Sequence, residues 1–359
     1  MNLDNLEDLL VELDRSDNNQ AFELSKAIFL ASREPEDIKA THPVIGQVRN
    51  GDRVPILDDT VDYGGFPFVE GCELPACEVD TNVSDYVWDI AEIGCKVKVC
   101  FKDFKSGFLR FFNDYRRMNE GDEQTAILQY IISLFNRNHL GAEARAGYFG
   151  DKSSDDDLIN GFNGWVTQMM AGAEGDADLR VEVAENAEAT SAEQTIADGE
   201  RVYEILAEMY DKAVVQPWFD PSNMVWELNR ENVNKLVGWL NRQSDLKGIS
   251  CDCIDPEKVR NARVFTADNL SIFGIPVRPK EFNAMRKPIA ELYDDADGTY
   301  ENRNIFILAQ ESIMPIGYEH NDSLHQFDLG YNREDRYFYM NGSSMFGTAV
   351  ATDHYIIGY

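Results

Sequence analysis

Glu120-Gly121-Asp122-Glu123-Gln124-Thr125-Ala126-Ile127-Leu128-Gln129-Tyr130-Ile131-Ile132-Ser133-Leu134-Phe135-Asn136-Arg137-Asn138-His139 is the stretch on which the fold turns. Within it Ala126, Ile127, Tyr130, Ile131, Leu134 and Phe135 fall at i, i+1, i+4, i+5, i+8 and i+9, with Gln129, Ser133 and Arg137 on the other side. That broad stripe predicts a helix from Asp122 to about His139, started by Gly121-Asp122 and stopped at Gly141. At about 1.5 Å per residue it spans roughly 25 Å or more, long enough to be the backbone of a domain. An ordinary core helix would carry the same stripe.

Upstream, the chain does not build a core of its own. Leu3, Leu6, Leu10 and Leu13 recur at helical steps, Phe22, Lys26, Phe29 and Leu30 resume after Asp17-Asn18-Asn19, and Pro35 and Pro43 end regular structure. These pieces read as an amphipathic arm. Residues 48–102 then change character, with strand-like runs Arg53-Val54-Pro55-Ile56-Leu57 and Gly94 to Phe101 separated by Gly64-Gly65, Pro67 and Pro75. A long hairpin pairing these two runs is expected. In the second run Cys95, Val97, Val99 and Phe101 alternate with Lys96, Lys98, Cys100 and Lys102, one edge apolar and one basic. A hairpin with so little apolar surface at its tip needs another surface to pack on, such as a second subunit.

Downstream, a Gly- and Asp-rich loop from Gly147 to Asp157 precedes a run carrying Leu158, Ile159, Phe162, Trp165 and Met169. Residues 174–200 hold nine carboxylates and only Arg180 as a base, which reads as a solvated loop and a helix N-terminus. Val202, Ile205, Leu206, Met209 and Tyr210 mark a helix, Met224-Val225-Trp226-Glu227-Leu228 a buried strand, and Val233, Leu236, Val237 and Leu240 a helix from Asn232. Alternating strands and helices imply an α/β unit. The last sixty residues are strand-like, at Ile305 to Leu308, Arg336 to Met340 and His354 to Ile357, with turns expected at Gly317 and Asn341-Gly342. The fold class is therefore α+β, the long helix lying on a sheet that the C-terminal strands complete.

Composition excludes several functions. The 359 residues are 43% apolar, enough for a buried core. No apolar run reaches the ~18 residues of a membrane span, and Met1-Asn2-Leu3-Asp4 lacks the order of a secretory signal, so a soluble, cytosolic chain with no membrane partner is expected. With 33 basic and 64 acidic side chains the net charge is −31, a field that repels phosphate backbones. It fits a solvated acidic surface, or a protein that stays near packaged nucleic acid without sticking to it. Six cysteines are too sparse for a disulfide scaffold. Cys95 and Cys100, five apart on a strand, point to opposite faces and cannot share a metal; Cys251 and Cys253 could share a face but have no further ligands at zinc spacing, and Cys72 and Cys77 flank a Pro-containing turn.

Chemistry-bearing motifs are scarce. There is no Gly-x4-Gly-Lys-Ser/Thr loop, no Gly-x-Gly-x-x-Gly after a strand and no Gly-x-Ser-x-Gly elbow. Asp294-Asp295-Ala296-Asp297-Gly298 resembles part of a calcium loop, yet its first and twelfth ligand positions fall on Tyr293 and Asn304, so it reads as a turn. His320, Asp322, His325 and Asp328 could hold a divalent ion if their loop folded inward, but they match no metal motif. No catalytic, cofactor-binding or metal residue is assigned, no cofactor is expected, and the chain is read as a structural protein and not an enzyme.

The order of elements resembles the major capsid proteins of tailed bacteriophages, the Hong Kong 97 capsid fold. Glu120 to His139 resembles the family's spine helix, and residues 48–102 stand in the place of its extended loop. Val225-Trp226-Glu227-Leu228-Asn229-Arg230-Glu231-Asn232 is similar to its apical-domain strand and following helix, and Asn269-Leu270-Ser271-Ile272-Phe273-Gly274-Ile275-Pro276-Val277 to its Leu/Phe-Gly-x-Pro-Val segment. The resemblance implies an N-terminal arm (1–47), an extended loop (48–102), a peripheral domain with the spine helix (103–165), an apical domain (166–295) and return strands of the peripheral domain (296–359). It implies self-assembly into hexamers and pentamers of an icosahedral virion capsid around double-stranded DNA that is not bound specifically. Assembly would occur in the host cytoplasm, with scaffolding, portal and cement proteins as further partners. Some family members cross-link through a lysine near the loop tip; between Asn50 and Cys95 this chain has none, so non-covalent assembly is expected. The alternatives are an encapsulin-like compartment shell and, in another class, a cytosolic metal-dependent hydrolase using the His320 to Asp328 cluster.

Overall fold

The computed structural model describes residues 38–58, 82–100, 102–103, 107–108, 123–247, 266–267, 270–294, 298–319, 326–332 and 334–359. The expected arm helices before residue 31 and the hairpin tip lie outside them. In chain order, a helical turn α1 (Ile38–Thr41) leads to β1 (Val44–Gly46), β2 (Arg53–Asp58), β3 (Asn82–Val87) and β4 (Ala91–Cys100). The long helix α2 (Glu123–Phe149) is followed by α3 (Trp165–Gly175), β5 (Arg180–Val181), α4 (Gly199–Val214), β6 (Met224–Asn229) and α5 (Arg230–Lys247). Then come β7 (Ser271–Ile272), β8 (Ile275–Lys280), α6 (Phe282–Arg286), β9 (Tyr293–Asp294), β10 (Thr299–Tyr300), β11 (Phe306–Gln310), β12 (Ile316–Tyr318), β13 (Gln326–Asn332), β14 (Tyr337–Thr348) and β15 (Tyr355–Gly358). The architecture is mixed α+β.

Helix α2 runs on to Phe149, past the stop expected at Gly141. Its apolar stripe does not end at His139, because Ala146, Tyr148 and Phe149 are also buried. Gly141 has open space where a side chain would go, so it is a tolerated helix glycine. The stop is Gly150: its amide donates to the Ala146 carbonyl at 2.9 Å, and a Cβ there would lie 2.6 Å from that same oxygen and collide with the Phe162 carbonyl.

Helix α2 lies on a five-stranded sheet centred on β14. Strand β4 pairs antiparallel along nearly all of β14, from Phe346 opposite Ala91 to Tyr337 opposite Cys100. On the other side β13 pairs with Tyr337 to Ser343 and β12 with Phe346 to Thr348, and β1 adds in parallel beyond β12. The alternation expected in β4 holds: Cys95 is buried and Val97 and Val99 half-buried, while Lys96, Lys98 and Cys100 are exposed. Its expected partner was wrong. Strand β2 pairs with β3, Arg53 opposite Val87 to Asp58 opposite Asn82. A strand with one apolar face gains more by lying beneath α2 than by joining an exposed ribbon, and this takes residues 91–100 out of the hairpin. The Asn341-Gly342 turn signal also fails, because both residues sit inside β14 with neighbours on each side. Gly317 likewise lies within β12.

The second sheet has six strands in the order β5-β15-β11-β6-β8-β7. Strand β11 shows why it needs cover on both faces. Ile307 and Ala309, with Tyr355 and Ile357 of β15, pack with Trp165, Val166 and Met169 of α3. Phe306 and Leu308 point the other way, with Trp226, Leu228 and Ile356, onto Val202, Ile205, Leu206 and Met209 of α4 and Val233 and Leu236 of α5. The expectation that residues 296–359 all return to the sheet under α2 is therefore corrected: β12, β13 and β14 do, whereas β11 and β15 complete the six-stranded sheet. A strand apolar on both sides belongs where helices cover both sides.

Candidate assembly site

The β2–β3 ribbon belongs to neither large sheet. Its root is fixed. The Trp88 amide donates to the Asp52 carbonyl (2.9 Å) and the Gly51 amide to the Trp88 carbonyl (2.8 Å). The Trp88 indole is buried with Val48, Ile90 and Ala349, and Tyr86 Oη donates to the Thr348 carbonyl at 2.8 Å. Gly317 is required here, since a Cβ would lie 2.8 Å from the Trp88 ring. At this root Val87, between Tyr86 and Trp88, is 47% exposed. Val44 and Ile45 on the edge strand β1 are 43% and 37% exposed.

Next to the ribbon root, the chain that emerges from the arm is bolted down by buried charge. Lys39 Nζ lies 2.9 Å from Glu143 Oε2, and His139 Nε2 lies 3.1 Å from Glu143 Oε1 and 2.8 Å from Ser344 Oγ. Glu143 has no exposure. Burial alone would raise its pKa, but Lys39 and His139 outweigh that and hold it well below the carboxylate range. Three residues on, His42 Nε2 meets Tyr148 Oη at 2.9 Å, and that hydroxyl donates to Glu227 Oε2 at 2.8 Å. Because the hydroxyl proton goes to Glu227, His42 must donate from Nε2. Lys280 Nζ lies 3.1 Å from Glu227 Oε1 and donates to Thr41 Oγ1 at 3.2 Å, and Arg278 donates to the Thr41 carbonyl at 2.8 Å.

Burial pushes the His42 pKa down to about 3 against the pull of Glu227, so the imidazole is neutral and its 3.5 Å approach to Glu227 Oε1 is not an ion pair. Burial would raise Glu227, but Lys280 and the Tyr148 hydroxyl keep it below its ordinary value. The same burial raises Tyr148 well above the phenol range. The arrangement ties three arm-side residues, Lys39, Thr41 and His42, to α2 and to the six-stranded sheet. None of these residues was singled out from sequence, although two signals were present. Glu227 is a charge inside a strand apolar on both faces, and His139 and Glu143 stand at i, i+4, a pairing hidden by the stop expected at Gly141.

Asp328 is exposed on β13 opposite Asn341, and His320, Asp322 and His325 lie outside the described residues. Among the described residues no three His, Cys, Asp or Glu side chains group as metal ligands do, and no helix is long and apolar enough to cross a membrane. Cys95 and Cys100 are free thiols on opposite faces, with burial raising the Cys95 pKa to about 11. Cys72, Cys77, Cys251 and Cys253 lie outside the described residues. Around the calcium-like segment, Asp294 and Gly298 close the β9–β10 hairpin, the Gly298 amide donating to the Asp294 carbonyl at 2.6 Å with φ +64°. Residues 295–297 lie outside the described set.

No protein-family model matches this sequence, and no curated protein matches it. Solved structures similar to it include the procapsid of satellite phage P4 with its size determination protein, at 12% identity and TM-score 0.48, covering 93% of this chain and 98% of that one. The capsid of cyanophage Pam1 is similar at 14% identity and TM-score 0.46, covering 91% of each chain. The SrpI encapsulin complex of Synechococcus elongatus is similar at 12% identity and TM-score 0.40, covering 89% of this chain and 87% of that one.

Proposed function

We propose that this chain is the major capsid protein of a tailed phage, self-assembling without covalent cross-links into the shell around a DNA genome. The observation that carries the reading is the β2–β3 ribbon, rooted firmly at Trp88 and Tyr86 but strand-paired with neither large sheet. A lone two-stranded ribbon is marginal in water, so its exposed side needs a second copy of the chain. The α+β order of hairpin, long helix on a sheet, α/β unit and returning strands supports the same reading.

Electron microscopy of the overexpressed chain tests it. Shells, tubes or capsomer rings are expected, and Val87→Asp is expected to abolish them while leaving a folded, soluble chain. A compact monomer at high concentration overturns the proposal. A single 359-residue band from boiled particles on a denaturing gel is expected, and a ladder of covalent oligomers would refute the non-covalent part.

A further inference from the structure

The sheet under α2 has a second face. Along β4 the side chains of Cys95, Val97 and Val99 turn toward the helix, so Lys96 and Lys98 stand exposed on the opposite side. The register sets Lys96 opposite Asn341 and Lys98 opposite Tyr339 on β14, and beyond them Asp328 and Gly330 on β13. Lys98 Nζ sits 3.8 Å over the Tyr337 ring, and the Tyr337 and Tyr339 ring centroids are 6.1 Å apart. A Cβ on Gly330 would run into the Tyr339 hydroxyl, so that ring lies across β13. Two exposed lysines and two half-buried tyrosines therefore share one surface.

The charge of this surface is not balanced from within. Lys152, Lys235 and Arg278 each lie 2.8 to 3.1 Å from a carboxylate, but no described carboxylate pairs with Lys96 or Lys98. Of the acids on the same face, Glu92 accepts from Ser343 Oγ at 2.5 Å and Asp328 stands two strands from Lys96. In a chain with 64 acidic and 33 basic side chains, neighbouring lysines left without an acid are the exception. Strand β4 is an edge strand among the described residues, and lysines at alternate positions oppose the addition of another strand there. What they admit is a surface carrying carboxylates, and a second copy presents such surfaces, as at the exposed Glu174, Asp176 and Asp178. Tyrosine rings beside the lysines keep water from such a pair, which salt then screens less. Closed rings of identical subunits join two different, complementary surfaces, and a basic face meeting an acidic one meets that need.

We propose that the face of β4 and β14 around Lys96 and Lys98 docks on exposed carboxylates of a second copy of this chain, an interface that rests on the shell reading. Particles assembled from a mixture of isotope-labelled and unlabelled chain are treated with a water-soluble carbodiimide, which condenses an amine with a carboxylate in contact with it. Peptide mass spectrometry is expected to find Lys96 or Lys98 joined to an Asp or Glu peptide of the other isotope. Both lysines unlinked, or linked only within one isotope, overturns the inference. Lys96→Glu/Lys98→Glu is expected to lower particle yield about tenfold or more, whereas Arg242→Glu/Lys287→Glu, the same change in net charge at exposed positions off this sheet, leaves it near that of the unsubstituted chain. Undiminished yield from the first variant also overturns the inference, and undiminished yield with loss of co-purifying nucleic acid would assign the face to phosphates instead. The cross-linking uses the unsubstituted chain, so it decides the matter should that variant not fold. Failure of the unsubstituted chain to form particles refutes the shell reading and this interface with it, while particles without the cross-link refute the interface alone.

Discussion

Lys39 matters because of what it leaves behind when removed. Glu143 is a fully buried carboxylate whose charge is matched by Lys39 at 2.9 Å and shared with His139 at 3.1 Å. Lys39→Met strips the permanent cation and leaves the carboxylate buried, a change that costs about 3–5 kcal/mol in comparable sites. The double variant Lys39→Met/Glu143→Gln removes both charges and is expected to recover most of that loss. Urea denaturation of the unassembled chain measures both, and additive effects would show that the two residues do not form one unit. The stop expected at Gly141 left Glu143 outside the helix, and nothing in a single sequence put Lys39 beside it, since the pair is 104 positions apart and no periodicity links an arm to a helix.

The same junction sets a response to acid. Unfolded, His42 has a pKa near 6.5; folded, burial lowers it to about 3. Between those values the unfolded chain takes up a proton that the folded chain refuses, so stability falls as pH drops from about 6.5 toward 3. Glu143 and Glu227, both depressed in the fold, contribute stability above the ordinary carboxylate range that is lost as pH falls through and below it. His42→Gln is expected to flatten the upper part of this slope while leaving the carboxylate part. Stability curves from denaturant titrations at a series of pH values read the difference, and parallel curves for the two proteins would count against the assignment.

At the scale of elements, the sequence was legible where one face decides and misleading where glycine was taken as punctuation. The stripe from Ala126 to Phe135, the alternation from Cys95 to Val99 and the apolar run Met224 to Leu228 each emerged as the element they implied. Gly141 and Gly342 did not end anything, because neighbours that sequence does not show continue the burial past them. Helix α2 supplies a direct test. Gly141 sits mid-helix with open space around its Cβ position, so Gly141→Ala is expected to stabilise by roughly 0.5–1 kcal/mol. Gly150→Ala places a methyl group against the Phe162 and Ala146 carbonyls and is expected to destabilise. Thermal midpoints moving in opposite directions would confirm that the helix ends where the second glycine stands, and a destabilising Gly141→Ala would place the end earlier.

For the whole molecule, the order of elements could be read from sequence, but the division of the late strands between two sheets could not, since β11, β14 and β15 all carry apolar runs and only cover on one or both faces sorts them. What the whole chain contributes beyond its parts is charge. In the proposed shell, copies carrying a formal −31 would repel one another, and the contacts holding them would have to act against that field. The body has a neutralised interior at Glu143 and Glu227, so the unbalanced charge is carried outside, where salt reaches it. Screening over ~10 Å at ~0.1 M shortens the repulsion to neighbouring side chains, while ribbon contacts made by apolar groups such as Val87 are little affected. Particle yield from purified chain is therefore expected to rise steeply with ionic strength and then level off, with the plateau and not the rise lowered by a milder apolar loss such as Val87→Ala. A yield that stays flat from low to high salt would mean that the acidic surface faces away from every copy-to-copy contact, and the exposed ribbon would then have to be covered by a partner other than this chain.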